Sequence, residues 1–251
     1  MRLVVPGHLS ARVPTCPDWT VAELTRHVGQ VYLHKVECMR SGGEEETEWP
    51  PAGLKGDEEP VALLDRAYAE LVAELTTRDP AGLGGTWYPP DPTVGFWFRR
   101  TAQETVIHRI DAELAAGAAI APVADDLAVD GIDELLKVFV GYAVDAWGDY
   151  FTEALADSPG RAYKIQAMAT ADRPGVTWLV RTSPGRFAVD GGPAEQPAGD
   201  LVADVTVSGT PADVLRWSWN RETPGEPSRV TVDGSEEALA EFGRCVVIAT
   251  K

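Results

Sequence analysis

Apolar residues in the first 155 positions recur mostly at spacings of three and four, whereas after about residue 160 they alternate one by one. Leu24, Val28 and Val31 make one stripe of the first kind. It is entered through Thr20-Val21-Ala22-Glu23, whose hydroxyl and carboxylate suit the orphan amides of a helix start. A helix over 21–40 is expected, with His27 inside the stripe and facing the core. Residues 41–60, SGGEEETEWPPAGLKGDEEP, are too rich in glycine, proline and acid to pack, and predict a solvated loop. Leu64, Ala67, Leu71 and Leu75 then predict a helix over 61–77. Pro80, Pro89, Pro90 and Pro92 break the pattern into a long loop over 79–95, positioned to cover a site. Helical spacing returns over 96–117 and again over 127–155, the latter through Leu135, Val138, Phe139, Tyr142 and Ala146.

The alternation that follows Asp157-Ser158-Pro159-Gly160 predicts strands at Tyr163-Lys164-Ile165 and at Val176-Thr177-Trp178-Leu179-Val180. Ser183-Pro184-Gly185 reads as a hairpin turn into a strand over 186–189, and Val205-Thr206-Val207 and Val230-Thr231-Val232 as further short strands. Thr210-Pro211 supplies a cap and a first-turn proline for a helix over 212–219, and Asp233-Gly234-Ser235 leads into a last one over 236–242. The fold class is therefore α plus α+β: a helical bundle over 1–158, then a smaller α+β domain over 159–251.

Composition narrows the function. The chain of 251 residues is 44% hydrophobic, as expected of a globular protein, and its net charge of −17 disfavours nucleic acid and anionic membrane as partners. No leader and no apolar run near the roughly 18 residues of a membrane span are evident, so a cytoplasmic protein is expected. The three cysteines, Cys16, Cys38 and Cys245, are odd in number and widely spaced, which suits reduced thiols rather than a disulfide framework. Cys16 has no flanking base to make it a nucleophile and reads as structural. Arginine far outnumbers lysine amid abundant Ala, Gly, Pro and Val, a usage that points to GC-rich, actinobacterial coding DNA.

The candidate chemistry lies in the histidines. Glu104 and His108 are four apart on the third helix, so their side chains stack one turn apart on one face, roughly 5–6 Å between Cβ atoms. They flank the apolar arc of Ile107, Ile110 and Leu114, and a buried carboxylate and imidazole need a partner, which a divalent metal supplies. An ordinary surface pair is the competing reading of these two, and a core histidine bonded to a carbonyl that of His27. Yet the chain has only four histidines, and His27 and His108 both sit on core-facing stripes of different helices. Two histidines and one glutamate form a catalytic zinc set with an open position. His34, seven residues beyond His27, competes as third ligand; about 10 Å of axial rise prevents both from binding one ion. His8 precedes the first helix and is expected to be disordered. Asp111 shares the face of His108, either as an acceptor behind that ligand or as an arginine's partner, while Arg109 and Glu113 fall on the other face and are expected in solvent. Trp87 and Trp97 either line a pocket or fill the core, and Trp217 and Trp219 are expected to pack between helix and sheet.

These residues resemble the mycothiol-dependent maleylpyruvate isomerase family. Pro14-Thr15-Cys16-Pro17-Asp18-Trp19-Thr20-Val21, followed by Leu24 and Arg26-His27-Val28-Gly29, resembles its opening motif, and Gln103-Glu104-Thr105-Val106-Ile107-His108-Arg109-Ile110-Asp111-Ala112 its second. Val205-Thr206-Val207-Ser208-Gly209-Thr210-Pro211-Ala212-Asp213 and Val230-Thr231-Val232-Asp233-Gly234 resemble the C-terminal domain. The resemblance implies a DinB-like bundle, metal ligands His27, Glu104 and His108, a divalent metal that is zinc foremost, and mycothiol as thiol cofactor. It implies an isomerase or S-transferase that acts on a small electrophile like maleylpyruvate, the thiolate adding to an activated alkene, allowing rotation and leaving again. A non-catalytic small-molecule binder and a metal-dependent hydrolase are the alternatives. The family's usual first helix precedes the opening motif, where only residues 1–13 stand here; the expectation is either a late start or a bundle that lacks a helix, its exposed face covered by a second subunit in a homodimer.

Overall fold

The computed structural model describes residues 1–43, 47–195 and 202–250. Glu44, Glu45 and Glu46 of the expected acidic loop lie outside the described residues. The chain divides into two compact units, Met1–Ala121 and Pro122–Lys251.

The first unit is helical. A short hairpin of β1 (Arg12–Val13) and β2 (Cys16–Thr20) leads into α1 (Val21–Ser41), followed by α2 (Pro60–Thr77) and α3 (Val94–Ala115). The capping box forms as its sequence predicts: Thr20 N–H donates to Glu23 Oε2 at 2.6 Å and Glu23 N–H to Thr20 Oγ1 at 3.3 Å. Gly29 lets α2 approach α1, because a Cβ there would lie 2.8 Å from Leu63 Cγ. Leu24, Val28, Val36, Leu63, Trp97 and Ile110 are fully or almost fully buried between the three helices. The residues before α1 are ordered rather than loose: Val5 and Val13 pack with Val21, Leu24 and Ala112, and His8 Nδ1 lies 2.9 Å from the Val4 carbonyl. The proline-rich loop is fastened to the start of α3, where Trp97 Nε1 donates to the Gly84 carbonyl at 2.6 Å.

In the second unit α4 (Asp125–Glu134) runs on through a widened π-helical stretch (Leu135–Tyr142) into α5 (Ala143–Ala146), and a break at Trp147 separates it from the short α6 (Thr152–Leu155). Five strands follow: β3 (Arg161–Ala167), β4 (Val176–Ser183), β5 (Arg186–Gly191), β6 (Val205–Gly209) and β7 (Thr231–Gly234). They form one sheet in the order β5-β4-β3-β6-β7, antiparallel except for the β3–β6 pair. Ser183 pairs with Arg186 across the Pro184-Gly185 turn, where Gly185 takes φ +65 as the tight turn requires. The helices α7 (Pro211–Ser218) and α8 (Glu236–Ala249) complete the unit, and Phe242 of α8 packs on Tyr163 and Phe187 of the sheet. Among the described residues no helix is long and apolar enough to cross a membrane.

The helix over 125–146 corrects the expected boundary at 158/159, since it belongs to the second unit. Asp133 Oδ1 on α4 accepts from Trp178 Nε1 of β4 and from Lys137 Nζ, both at 2.9 Å, while Asp125 Oδ2 accepts from Thr170 at 2.6 Å. Periodicity reveals that a helix has an apolar face, not which core receives it. The expected linker at 158–160 is likewise tied down, because Ser158 Oγ donates to Glu241 Oε1 at 3.0 Å inside the second unit. Brief digestion with elastase should therefore cut in the alanine-rich, largely exposed stretch 116–124 and leave a stable fragment that begins near Pro122. A dominant fragment beginning at 159–162 instead would restore the boundary read from periodicity.

Candidate metal centre

The phase of α1 set by the capping box turns His27 toward α3, and the four-residue step of α3 stacks Glu104 under His108. Their donor atoms lie within 4.8 Å of one another, and they form the cluster of three metal-binding side chain types found among the described residues. His27 Nε2 stands 3.3 Å, and His108 Nε2 3.1 Å, from the same oxygen, Glu104 Oε1. The other oxygen, Oε2, accepts from Arg100 Nη2 at 2.5 Å. Arg100 thus leaves Oε1 as the oxygen directed at the two imidazoles. Glu104 and His108 are largely buried, with side-chain exposures of 13% and 12%, while His27 keeps 27% and opens the group on one side. Trp19 flanks that histidine at 4.8 Å between ring centroids, and Trp49 at 6.2 Å.

Behind His108 the support is continuous. Its Nδ1 lies 2.8 Å from Asp111 Oδ2, and Asp111 Oδ1 accepts from Thr15 Oγ1 at 2.5 Å. Asp111 is therefore the acceptor behind His108 rather than an exposed partner of an arginine. Thr15 sits in the turn between Val13 and Cys16, so the opening hairpin reaches the group through this hydroxyl as well as through Trp19. A histidine whose Nδ1–H is held by a carboxylate presents Nε2 to an ion, an arrangement common behind metal ligands.

Electrostatics follow from the contacts. Burial alone would raise the Glu104 pKa, but the charge of His108, hydrogen bonds from His108 and His27, and the Arg100 guanidinium outweigh it and hold the carboxyl well below its ordinary range. Burial likewise works to lower the His108 pKa, yet the Glu104 charge and the hydrogen bonds to Asp111 and Glu104 push it up to about 9. The donor set fits a divalent metal: two imidazoles and a carboxylate already ionised, converging on one point with one side open, the composition of a catalytic zinc site.

His34 stands apart from this group. Its Nε2 lies 3.3 Å from the Thr47 carbonyl and its Nδ1 3.1 Å from Lys35 Nζ. Glu113, expected in solvent, is buried because the chain after α3 folds back over it: Ala121 N–H donates to Glu113 Oε2 at 3.2 Å, and Arg109 Nη2 to the Ala121 carbonyl at 3.0 Å. Cys16 packs against the Val5 and Val13 cluster, and none of Cys16, Cys38 and Cys245 is disulfide-bonded. Trp97 is fully buried, and Trp87 packs edge-on against Phe96 at 5.3 Å between centroids. Arg100 and Thr15 were missed. Arg100 could have been found from its four-residue step to Glu104, whereas nothing in the sequence ties Thr15 to the group.

Comparison with known proteins agrees with this architecture. The profile of the mycothiol maleylpyruvate isomerase N-terminal domain matches residues 1–113, and that of the MDMPI C-terminal domain residues 126–241, which fall on either side of the division between the units. The chain belongs to the mycothiol maleylpyruvate isomerase family. No curated protein matches it. The solution structure of a conserved hypothetical protein from Thermus thermophilus is similar at 14% identity, over 47% of this chain and 85% of that one, with a TM-score of 0.34.

The raised pKa of His108 has a measurable consequence. In metal-free protein the extra proton affinity stabilises the fold fully below pH 6.5, and that contribution is lost as pH rises through about 9. A metal must displace the same proton. The melting temperature of chelated protein should fall between these two pH values while the apparent metal affinity rises over the same interval. A flat melting profile, with metal affinity levelling off above pH 6.5, would contradict the assignment.

Proposed function

We propose that this protein is a metal- and mycothiol-dependent isomerase or S-transferase of the cytoplasm that acts on a small, maleylpyruvate-like electrophile, with His27, Glu104 and His108 holding the metal. The observation that carries the reading is the convergence of both imidazole Nε2 atoms on Glu104 Oε1, in a chain whose two units match both domains of the family. Zinc at such a set lowers the pKa of a thiol and so supplies a thiolate nucleophile at neutral pH. The protein's own residues do the rest. Asp111 and Thr15 fix the ring of His108 so that Nε2 faces inward. Arg100 fixes the Glu104 carboxylate through Oε2, and Trp19 and Trp49 shield the more exposed His27. Assembly as a homodimer belongs to the same reading; Tyr68 and Val72, one turn apart on α2, are exposed apolar side chains available to it.

Purified protein should carry about one divalent ion per chain. His27→Ala, Glu104→Ala and His108→Ala should each remove most of it and abolish mycothiol-dependent turnover, whereas His34→Ala and His8→Ala should leave the metal in place. Asp111→Asn should weaken metal binding by roughly 10–100-fold. Metal analysis and turnover assays decide the matter: full metal content in a variant that combines His27→Ala, Glu104→Ala and His108→Ala, or turnover that is indifferent to mycothiol, would sink the proposal.

A further inference from the structure

Two helical turns along α1 from His27, the side chain of Lys35 is held in an unusual way. Its ammonium lies 3.1 Å from His34 Nδ1 and 4.7 Å from the ring centroid of Trp97. No carboxylate of the described residues lies within ion-pair reach, although acid outnumbers base 39 to 22 in the chain. Cys38 Sγ also lies 3.6 Å from the same His34 Nδ1. The carbonyl of Thr47 can take a hydrogen only from the Nε2–H of His34, which makes Nδ1 the acceptor for Lys35. Arg100, the other cation nearby, is already engaged by Glu104. Burial lowers the Lys35 pKa, while Cys38 and, after it, the charge of Glu104 pull the other way.

Trp49 faces His27 at 6.2 Å and His34 at 5.6 Å between centroids, so one indole spans both histidines. The eight residues from His27 to Lys35 rise by about 12 Å, a span that an extended small ligand lying along α1 bridges only in part.

We propose that Lys35, seated on the face of Trp97 and oriented by His34, is the anion-binding residue of the site and receives a carboxylate of the electrophilic substrate. This rests on the reading given under Proposed function, in that it names what the substrate presents beside its reacting carbon atoms. A half-buried cation that lacks a counter-ion gains most from an anionic ligand, because the surroundings that weaken its hydration also strengthen the new ion pair.

The test uses the full-length protein, as purified and after chelation, and two non-electrophilic probes of the same shape: succinate and its neutral diamide, succinamide. Calorimetry should show that the protein prefers succinate in both preparations. Lys35→Met should reduce that preference roughly tenfold or more, and Lys35→Arg should largely keep it. Lack of preference in the unaltered protein would overturn the inference, and that result does not depend on how the variants fold. So would an intact preference in Lys35→Met. If chelated protein and His108→Ala keep the preference while turnover shows no need of mycothiol, the anion site stands and the isomerase reading falls. If turnover needs mycothiol but Lys35→Met keeps the preference, the isomerase reading stands and the anion site falls.

Discussion

A single carboxylate oxygen, Glu104 Oε1, is approached by two imidazoles from different helices, and this contact constrains the rest of the first unit. Burying a carboxylate costs several kcal/mol unless charge and hydrogen bonds compensate, and removing one partner from such a group costs roughly 3–5 kcal/mol. The compensation here comes from three directions: His108 on the same helix, Arg100 one turn earlier, and His27 on α1. For those directions to coincide, α1 must begin at Val21 with the right phase, and the opening hairpin must bring Thr15 to Asp111. Elements distant in sequence thus depend on one polar group, which in turn has the donor composition of a metal site.

The same strip between α1 and α3 runs from that group to Lys35. Pairing of His27 with His108 at one end and of Lys35 with Trp97 at the other shows that the two helices run in opposite directions. A ligand lying along them would meet ionised Glu104 with its imidazoles first and the Lys35 ammonium further on. The second unit has a polar cluster of another kind: buried Glu241 accepts from Tyr163 of β3, Thr182 of β4 and Ser158 of the segment before β3, and so fixes α8 to the sheet.

Much of this was legible in the sequence. The capping box at Thr20 and the stripe of Leu24, Val28 and Val31 gave the start and face of α1, and the four-residue step placed Glu104 beside His108. The turn at Pro184-Gly185 and the cap at Thr210 were equally plain, because each rests on local chemistry. What failed was whatever depends on distant packing. The apolar face of the helix over 125–146 does not say that Trp178 and Asp133 will bind it to the sheet. Glu113 looked exposed because the chain that folds back over it carries no pattern. Lys35 and Thr15 have no local signature at all; their roles arise from which helices meet. The choice of His27 over His34 was not legible from spacing and came from the resemblance, and the structure gives its physical ground in the engagement of both His34 nitrogens elsewhere.

The central claim is that these two histidines and the glutamate hold a metal that takes a thiol. X-ray absorption at the metal edge of zinc-loaded protein tests it most directly. The account predicts a first shell of nitrogen and oxygen at about 2.0–2.1 Å with an imidazole scattering pattern, joined on addition of mycothiol by one sulfur at about 2.3 Å. A shell of sulfur before any thiol is added, or a nitrogen and oxygen shell that saturating mycothiol leaves unchanged, would contradict it.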